Sequence, residues 1–445
     1  MKNKRLPIIV ILVATLAQAC GGVDGAATTT VPDATTTSRD GGDVTGFDPG
    51  DVVTVDVARA SSDVPKADIE AVAASDAVFG LDLFEVVAGD ENVMVSPYSI
   101  VTALSMLYPG ARGDTAIEIA ELLRVSVDDA TLHRVRNAID AALVATPTPM
   151  GEEDTREPFT IRPANSAWGQ GGYPFLDRYL RTLAENYGAG LRVVDYIGDP
   201  EGSRRIINQW VEDATEDRIE DLIPEGAITT DTRLSLVNAI WFKANWFEPF
   251  DPDRTEVGTF TMVDGTEIEA PLMRANLQTG YAVSDSFEAV RLPYAGDAAM
   301  VILLPEEGSP ADLAGALDVA DLDIAWQQRS VDITLPSFEF ESEISLKPAL
   351  QMLGMVAAFE QPGGDGADFT GITEVRELFV TDAFHKTFIA LDEEGTEAAA
   401  ATAIVVGLTS APEPATFTAD RPFLFWIEHG STGEMLFLGQ VTDPS

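Results

Sequence analysis

Apolar residues recur at helical spacing along the first half of the chain. Over residues 67–88, Phe79, Leu83 and Val87 lie four positions apart, so the spacing predicts a helix with one buried face. Pro97 fits the first turn of a second helix, because its missing N–H costs nothing there. Further helices are predicted over 173–187, 203–217 and 346–355.

In the second half the pattern changes to apolar runs and strict alternation. Runs rich in β-branched and aromatic residues indicate buried strands, and "VDITLPSFEFES" alternates apolar with polar positions. A hairpin closed by "GSTGE" is predicted near the end of the chain. Helices followed by antiparallel strands predict an α+β domain with large sheets. The predicted strands and hairpin occupy 232–246, 298–305, 331–342, 378–395 and 421–441.

The segment "TEAAAATAIVV" (396–406) fits two conformations. Its alanines favour a helix, and a helix remains open for this segment. In a strand, alternate residues share a face. One face would then begin at Thr396 and end at Val406 with only small or β-branched side chains and no charge, whereas the other begins at Glu397. No helical stripe is present, so the sequence predicts a segment that can become a strand.

Composition limits the function. The 445 residues suffice for one large domain or two ordinary ones. There are 73 acidic and 28 basic residues, and the formal charge of −45 argues against binding to nucleic acid or anionic membranes. The acidic residues are spread along the chain, which indicates a solvated surface. A single cysteine excludes an intrachain disulfide.

The N-terminus has the features of an export signal. A basic start precedes an apolar run over 6–17, which is too short for a permanent membrane helix, and small residues then precede Cys20. This resembles a bacterial lipoprotein signal over 1–19, with Cys20 lipidated after cleavage. The alternative is an ordinary secretory signal with an incidental cysteine. Residues 20–65 predict a flexible tether, and 66–445 the folded domain.

Enzyme motifs are absent from the sequence. It contains no G-x-S-x-G, P-loop, H-E-x-x-H or G-x-G-x-x-G pattern. The three histidines are His133, His385 and His429. His385 lies within an apolar strand, so we expect a buried, hydrogen-bonded histidine there and no catalytic base. Because metal ligands do not cluster, no metal and no cofactor are predicted.

Four motifs, in the right order, carry a resemblance to a known family. "NVMVSPYSIVTALSMLYPGARGDT", "LVNAIWFKANWFEPF", "HKTFIALDEEGTEAAAATA" and "DRPFLFWIEHGSTGEMLFLGQVTDP" are similar to segments of the serpins, from about residue 70 to 445. The resemblance implies three β-sheets, eight to nine helices and an exposed reactive-centre loop. It also implies suicide inhibition of a target serine protease, whose cut leaves the loop free to insert into the large sheet. We expect an exported monomer that reaches a membrane only through a lipid at Cys20.

The resemblance also implies roles for individual residues. A polar cluster lies where the strands part during insertion, and Trp246 lies at the end of the sheet where insertion begins. For each of these residues, simple core polarity or an ordinary core aromatic is the alternative. The polar cluster comprises Ser96, Ser99, Asn238 and His385, and the hinge comprises Glu393, Gly395, Thr396, Ala398, Ala399, Ala400 and Ala401.

The bond cut by the protease follows from counting within the family pattern. Sixteen positions after Glu393 is Thr409, which predicts the bond Thr409–Ser410, whereas counting back from Pro422 leads nearer to Ala411. Leu408 to Ala411 include no cation, so the expected targets are elastase-like, chymotrypsin-like or subtilisin-like proteases. Inhibition of cysteine proteases, a non-inhibitory serpin that acts as a binding module, and an enzyme on the same fold are the alternatives.

Overall fold

The computed structural model describes residues 36–38, 47–144, 159–306, 308–396 and 414–445. Over these ranges the chain forms eight α-helices. They are α1 (Lys66–Val87), α2 (Pro97–Leu107), α3 (Gly113–Leu122), α4 (Asp129–Leu143), α5 (Asp177–Tyr187), α6 (Pro200–Ala214), α7 (Pro310–Ala316) and α8 (Leu346–Met352). The predicted helix over 173–187 therefore begins four residues later, because the N–H of Leu176 is held by the carbonyl of Ile372 at 2.8 Å.

Strands account for most of the rest. They are β1 (Thr36–Ser38), β2 (Val52–Thr54), β3 (Val93–Val95), β4 (Thr160–Gln170), β5 (Leu191–Val194), β6 (Leu234–Asn245), β7 (Glu256–Thr261), β8 (Glu267–Val283), β9 (Phe287–Pro293), β10 (Ala298–Pro305), β11 (Gln327–Pro336), β12 (Phe338–Ser345), β13 (Val380–Leu391), β14 (Gly395–Thr396), β15 (Ala415–Thr418), β16 (Phe423–His429) and β17 (Met435–Val441).

Local chemistry explains where the helices begin and end. The Ser96 hydroxyl accepts the N–H of Ser99 at 3.2 Å, and Pro97 occupies the first turn of α2. Helix α5 ends at Gly188, whose φ of +59° is a left-handed conformation that glycine adopts without strain. Both signals lie in the sequence, which is why helix positions could be predicted.

The strands form two hydrogen-bonded sheets. One sheet has eight strands in the order β1-β2-β5-β4-β6-β14-β13-β12. The other has nine, in the order β15-β11-β8-β9-β10-β16-β17-β3, with β7 paired to β8. The long strand β8 pairs with β7 and β11 and, near its C-terminal end, with β9. The third sheet that the resemblance implies is therefore continuous with the second through β8, and the α+β fold class is confirmed.

Helix α6 lies over the eight-stranded sheet. Its buried residues Ile207 and Val211 pack with Trp168 of β4, Val237 of β6 and Phe384 of β13. This apolar layer fixes the helix across the strands that form the candidate site. A larger apolar layer fills the space behind the sheet and includes Phe242, Trp246 and Tyr294.

Part of the range 20–65, which the sequence predicts as a tether, packs against the folded domain. Strand β2 pairs antiparallel with β5 at the edge of the sheet. The Phe47 ring fills the space beside Gly171, where a Cβ would come within 2.1 Å of it. The Thr, Gly and Asp content predicted a segment that cannot bury apolar surface, yet Phe47 and the valines of β2 suffice for an edge strand. Across the described part of the chain, no helix has the length and apolarity needed to cross a bilayer.

Candidate functional site

Strands β6 and β13 form the seam at the centre of the eight-stranded sheet. They pair in parallel from Val380 opposite Leu234 to Thr387 opposite Ile240. Beyond this point the two strands separate, and β14 occupies the gap. Thr396 pairs with Ala244 of β6 on one side and with Leu391 of β13 on the other. Among the residues that the structure describes, two belong to a further strand in this gap between the central strands.

A tight turn leads from β13 into β14. The Asp392 carboxylate accepts the N–H of Glu394 at 2.9 Å and that of Gly395 at 3.1 Å. Burial raises the pKa of Asp392, and these two N–H groups oppose the rise. Gly395 has a φ of +154°, and a Cβ there would lie 2.0 Å from the Ala244 carbonyl oxygen. Only glycine fits this approach to β6.

Trp246 connects this turn to the end of β6 through two hydrogen bonds. Its indole N–H donates to the Asp392 carbonyl at 3.0 Å, and its backbone N–H donates to the Glu394 carbonyl at 2.8 Å. The indole stacks on Tyr294 with a ring separation of 4.5 Å. The Tyr294 hydroxyl lies 2.8 Å from the Thr396 hydroxyl, and Thr396 is buried. The structure thus brings Trp246, Gly395 and Thr396 together at the end of β6.

Glu393 and Glu394 complete the turn. The Thr255 hydroxyl donates to the Glu393 carboxylate. The Phe250 N–H donates to the Glu393 carbonyl at 2.8 Å. Burial raises the pKa of Glu394, and the negative charges of Asp392 and Glu393 add to the rise. Three consecutive carboxylates in this turn therefore repel one another.

A second polar cluster lies under the seam. His385 on β13 is opposite Asn238 on β6 in the parallel register. The His385 Nε2 accepts the Ser96 N–H at 3.0 Å, so its Nδ1 carries the proton and donates to the Asn238 side-chain oxygen. Burial lowers the pKa of His385 to about 3, so the ring is neutral. Parting the two strands would break the bond from His385 to Asn238.

The cluster extends across β6 to β4. The Ser99 hydroxyl donates to the Asn165 side-chain oxygen at 2.6 Å, and the Asn238 amide donates to Ser99 at 2.8 Å and to Asn165 at 2.9 Å. Ser96 donates its hydroxyl to the Leu436 carbonyl at 2.6 Å. Asn165 was missed at the sequence level. Its amide side chain lies in β4 directly opposite Asn238, a pairing that the sequence alone does not reveal.

The loop after α6 covers the seam from the front. Lys386 on β13 donates its ammonium to the Glu220 carbonyl at 3.2 Å and lies 3.1 Å from the Glu341 carboxylate. Lys386 is mostly buried, with 8% of its surface exposed. A strand that entered between β6 and β13 would have to displace this loop. Sequence analysis missed Lys386 and Tyr294, because their contacts are set by chain segments far apart in sequence.

The other two histidines lie away from the seam and contact hydroxyl groups. His133 Nδ1 lies 2.7 Å from the Tyr187 hydroxyl, and His429 Nδ1 lies 2.8 Å from the Thr432 hydroxyl. Burial lowers the pKa of His133 to about 4. No group of three or more potential metal ligands occurs in the ranges that the structure covers.

Several predicted site residues lie outside the described residues. They are Cys20, the hinge alanines Ala398 to Ala401, and the residues around the predicted cleaved bond, Leu408, Thr409, Ser410 and Ala411.

The chain is similar in sequence to a known protein family. The family model "Serpin (serine protease inhibitor)" matches residues 74–444. A serpin-like protein of Thermococcus kodakarensis is 37% identical over 375 residues, covering 82% of this chain and 84% of the relative. The leukocyte elastase inhibitor of Sus scrofa is 32% identical over 395 residues, covering 84% of this chain and all of the relative.

A solved structure gives the same fold. Human thyroxine-binding globulin complexed with thyroxine superposes with a TM-score of 0.73 at 26% identity, covering 85% of this chain and 100% of that one.

Proposed function

This chain belongs to the serpin family, a family of protease inhibitors, and from this premise we propose that it is a suicide inhibitor of serine endopeptidases. The observation that carries the proposal is the position of β14. Its two residues begin a strand between β6 and β13 at the point where those strands separate. A longer strand in the same gap is the product that the proposed mechanism requires.

The proposed reaction begins as an ordinary cleavage. The serine hydroxyl of the protease attacks the carbonyl of Thr409, the peptide bond to Ser410 breaks, and an ester joins protease and inhibitor. The freed segment then enters the sheet, moves the protease with it and distorts its active site. This is strand addition to a sheet within one molecule. Insertion must be faster than hydrolysis of the ester for the protease to remain bound.

The sequence of the loop supports insertion. Ala398 to Ala401 carry the smallest side chains that a strand can bring between two existing strands without steric clashes. The face that starts at Thr396 carries no charge through Val406. Thr396 itself is already buried beside Tyr294. These features suit a segment that is solvated before cleavage and buried afterwards.

We place the cleaved bond at Thr409–Ser410, with Ala411 as the alternative register. The absence of Lys and Arg from 408–411 favours elastase-like, chymotrypsin-like or subtilisin-like targets. A relative named as a leukocyte elastase inhibitor agrees with this class. Cysteine proteases remain the second class of target to be tested.

A non-inhibitory binding role is the second candidate. It is favoured by the likeness to thyroxine-binding globulin, a structure of the same fold that is named for the molecule it binds. It is opposed by the hinge, because a binding protein has no need of small residues there. We further propose that the protein is an exported monomer held at a membrane by lipid on Cys20.

The test is incubation with a panel of serine and cysteine proteases, followed by a denaturing gel. Inhibition predicts a covalent complex that survives denaturation, whereas cleavage without a complex supports the binding role. Replacing Thr409 by Arg should bring trypsin-like proteases into range and weaken inhibition of the original class. If Ala411→Arg has this effect and Thr409→Arg does not, the register is displaced by two residues.

A further inference from the structure

A buried ion pair joins two helices behind the seam. Arg136 on α4 binds the Asp76 carboxylate on α1 through both terminal nitrogens, with Nη2 lying 2.7 Å from Oδ1. The third nitrogen, Nε, donates to the Ser105 hydroxyl on α2 at 3.2 Å. Asp76 is fully buried and Arg136 is 2% exposed. Every nitrogen of this guanidinium is therefore already engaged.

Glu434 lies beside this pair, in the turn that joins β16 to β17. Its side chain is fully buried, and neither carboxyl oxygen finds a hydrogen-bond donor among the described residues. Two carboxylates beside one guanidinium leave one negative charge uncompensated in the core. Such a charge is costly to bury, and a buried carboxyl avoids the cost by keeping its proton.

The groups that face Glu434 do not supply the missing positive charge. Burial raises the pKa of Glu434 well above its ordinary value of 4.5, the Asp76 charge raises it further, and Arg136 opposes the rise. Tyr98 on α2 feels the Glu434 charge, and Tyr187 on α5 lies near Arg136; burial raises the pKa of both phenols, which stay neutral.

The remaining charged neighbours face elsewhere. Asp140 on α4 accepts the Tyr98 hydroxyl at 3.3 Å, and its charge acts on that phenol. His429 on β16 directs its ring to Thr432 and Asp297. Arg136 is thus the one cation that acts on Glu434 from the described helices, and it is shared with Asp76.

We propose that Glu434 is a proton-binding site, at which the folded protein holds a carboxylic acid at neutral pH and directs its proton towards Asp76. Separation of the β16–β17 turn from α1 and α4 hydrates the carboxyl and releases the proton. The protonated Glu434 side chain makes the stability of the uncut protein depend on pH, independently of any protease.

The direction of this dependence follows from linkage. The folded-state pKa is raised, so the contribution to stability is complete below the ordinary value of 4.5 and is lost as pH rises through the folded-state pKa. Within that window the equilibrium constant for unfolding should rise about tenfold per pH unit because of this single group. Glu434 should therefore contribute more to the free energy of unfolding in mildly acidic solution than at alkaline pH.

The first test is infrared spectroscopy of the full chain at pH 7. The difference spectrum between the parent and Glu434→Gln should contain the carbonyl band of one protonated carboxylic acid. Glu85→Gln, at an exposed position of α1, is the control and should give no such band. A parent spectrum without a carboxylic-acid band at pH 7 would overturn the proposal, and this result needs no variant to fold.

The second test is the pH dependence of unfolding. Glutamine has the shape of a protonated glutamate, so Glu434→Gln should fold. Its unfolding constant should no longer show the rise of about tenfold per pH unit that Glu434 causes in the parent. Glu434→Leu provides a second variant that cannot titrate. Parallel pH profiles for the parent and both variants would show that Glu434 is not the proton-binding group.

Discussion

At the scale of single residues, His385 shows how one side chain couples two strands. Its ring accepts the Ser96 N–H and donates to Asn238, so both nitrogens are used only in the neutral form. Protonation would place a second N–H against the Ser96 N–H and bury a charge. The ring therefore fixes the seam between β6 and β13 as long as it stays neutral.

A pH dependence follows from this arrangement. The folded-state pKa of His385, about 3, lies below its ordinary value of 6.5, so the unfolded chain binds the proton more readily. Its contribution to stability is complete above pH 6.5 and is lost as pH falls towards 3. The parent should lose up to about 1.4 kcal/mol of unfolding free energy per pH unit relative to His385→Gln. Denaturant titrations across this range would show it, and equal slopes would contradict it.

Gly395 allows a second prediction at this scale. An added Cβ would lie 2.0 Å from the Ala244 carbonyl oxygen, so Gly395→Ala should move β14 out of the gap. We expect a loss of about 1–3 kcal/mol in unfolding free energy, as for other overpacked sites. Gly89→Ala is the matched control, because a Cβ at Gly89 meets no atom within 4 Å. If both variants unfold at the same denaturant concentration, the close approach does not restrain the hinge.

At the scale of elements, the sequence predicted the parts of the site better than their arrangement. The strand over 378–395 and the hairpin over 421–441 follow from local patterns, since alternation and turn residues act between near neighbours. The gap between β6 and β13 depends on pairing between strands about 150 residues apart, which no local pattern encodes. Asn165 was missed for the same reason, as its partners Ser99 and Asn238 lie on two other elements, α2 and β6.

The hinge strand gives a prediction at the element scale. Thr396 is buried beside Tyr294, so Thr396→Arg would place a long cation in the sheet core at a cost of several kcal/mol. A rise of only about 1.4 kcal/mol in the barrier slows insertion about tenfold. Thr396→Arg should therefore be cut normally by the target protease but form little covalent complex on a denaturing gel.

The matched variant is the next residue along the chain. Glu397 is expected on the opposite, outward face, so Glu397→Arg should inhibit almost as well as the parent. Thr396→Ser keeps the hydroxyl that meets Tyr294 and should retain inhibition. Were Thr396→Arg to form as much complex as the parent, insertion of this strand could not be the step that holds the protease.

At the scale of the whole molecule, the described residues leave a gap between β6 and β13 that the two residues of β14 enter. A loop held by Lys386 covers the front of this seam, and the neutral ring of His385 joins its two strands from behind. In the proposed mechanism strand entry must break these contacts, so we expect it to be slow. The persistence of the uncut protein would then depend on the rate of conversion as well as on equilibrium.

Cutting the loop should therefore stabilise the protein. Cleavage within 404–411 by a protease that is not inhibited frees the segment after β14 to continue between β6 and β13. Each backbone hydrogen bond that it gains contributes about 0.5–1.5 kcal/mol net, and a central strand gains them on both sides. The melting temperature of the cut protein should rise by many degrees, as measured by calorimetry.

The same cut in Thr396→Arg should raise the melting temperature much less, because the buried cation opposes entry of the strand at its first inward position. An unchanged melting temperature after complete cleavage of the parent would mean that the sheet does not accept the loop, and the gap between β6 and β13 would then need another explanation.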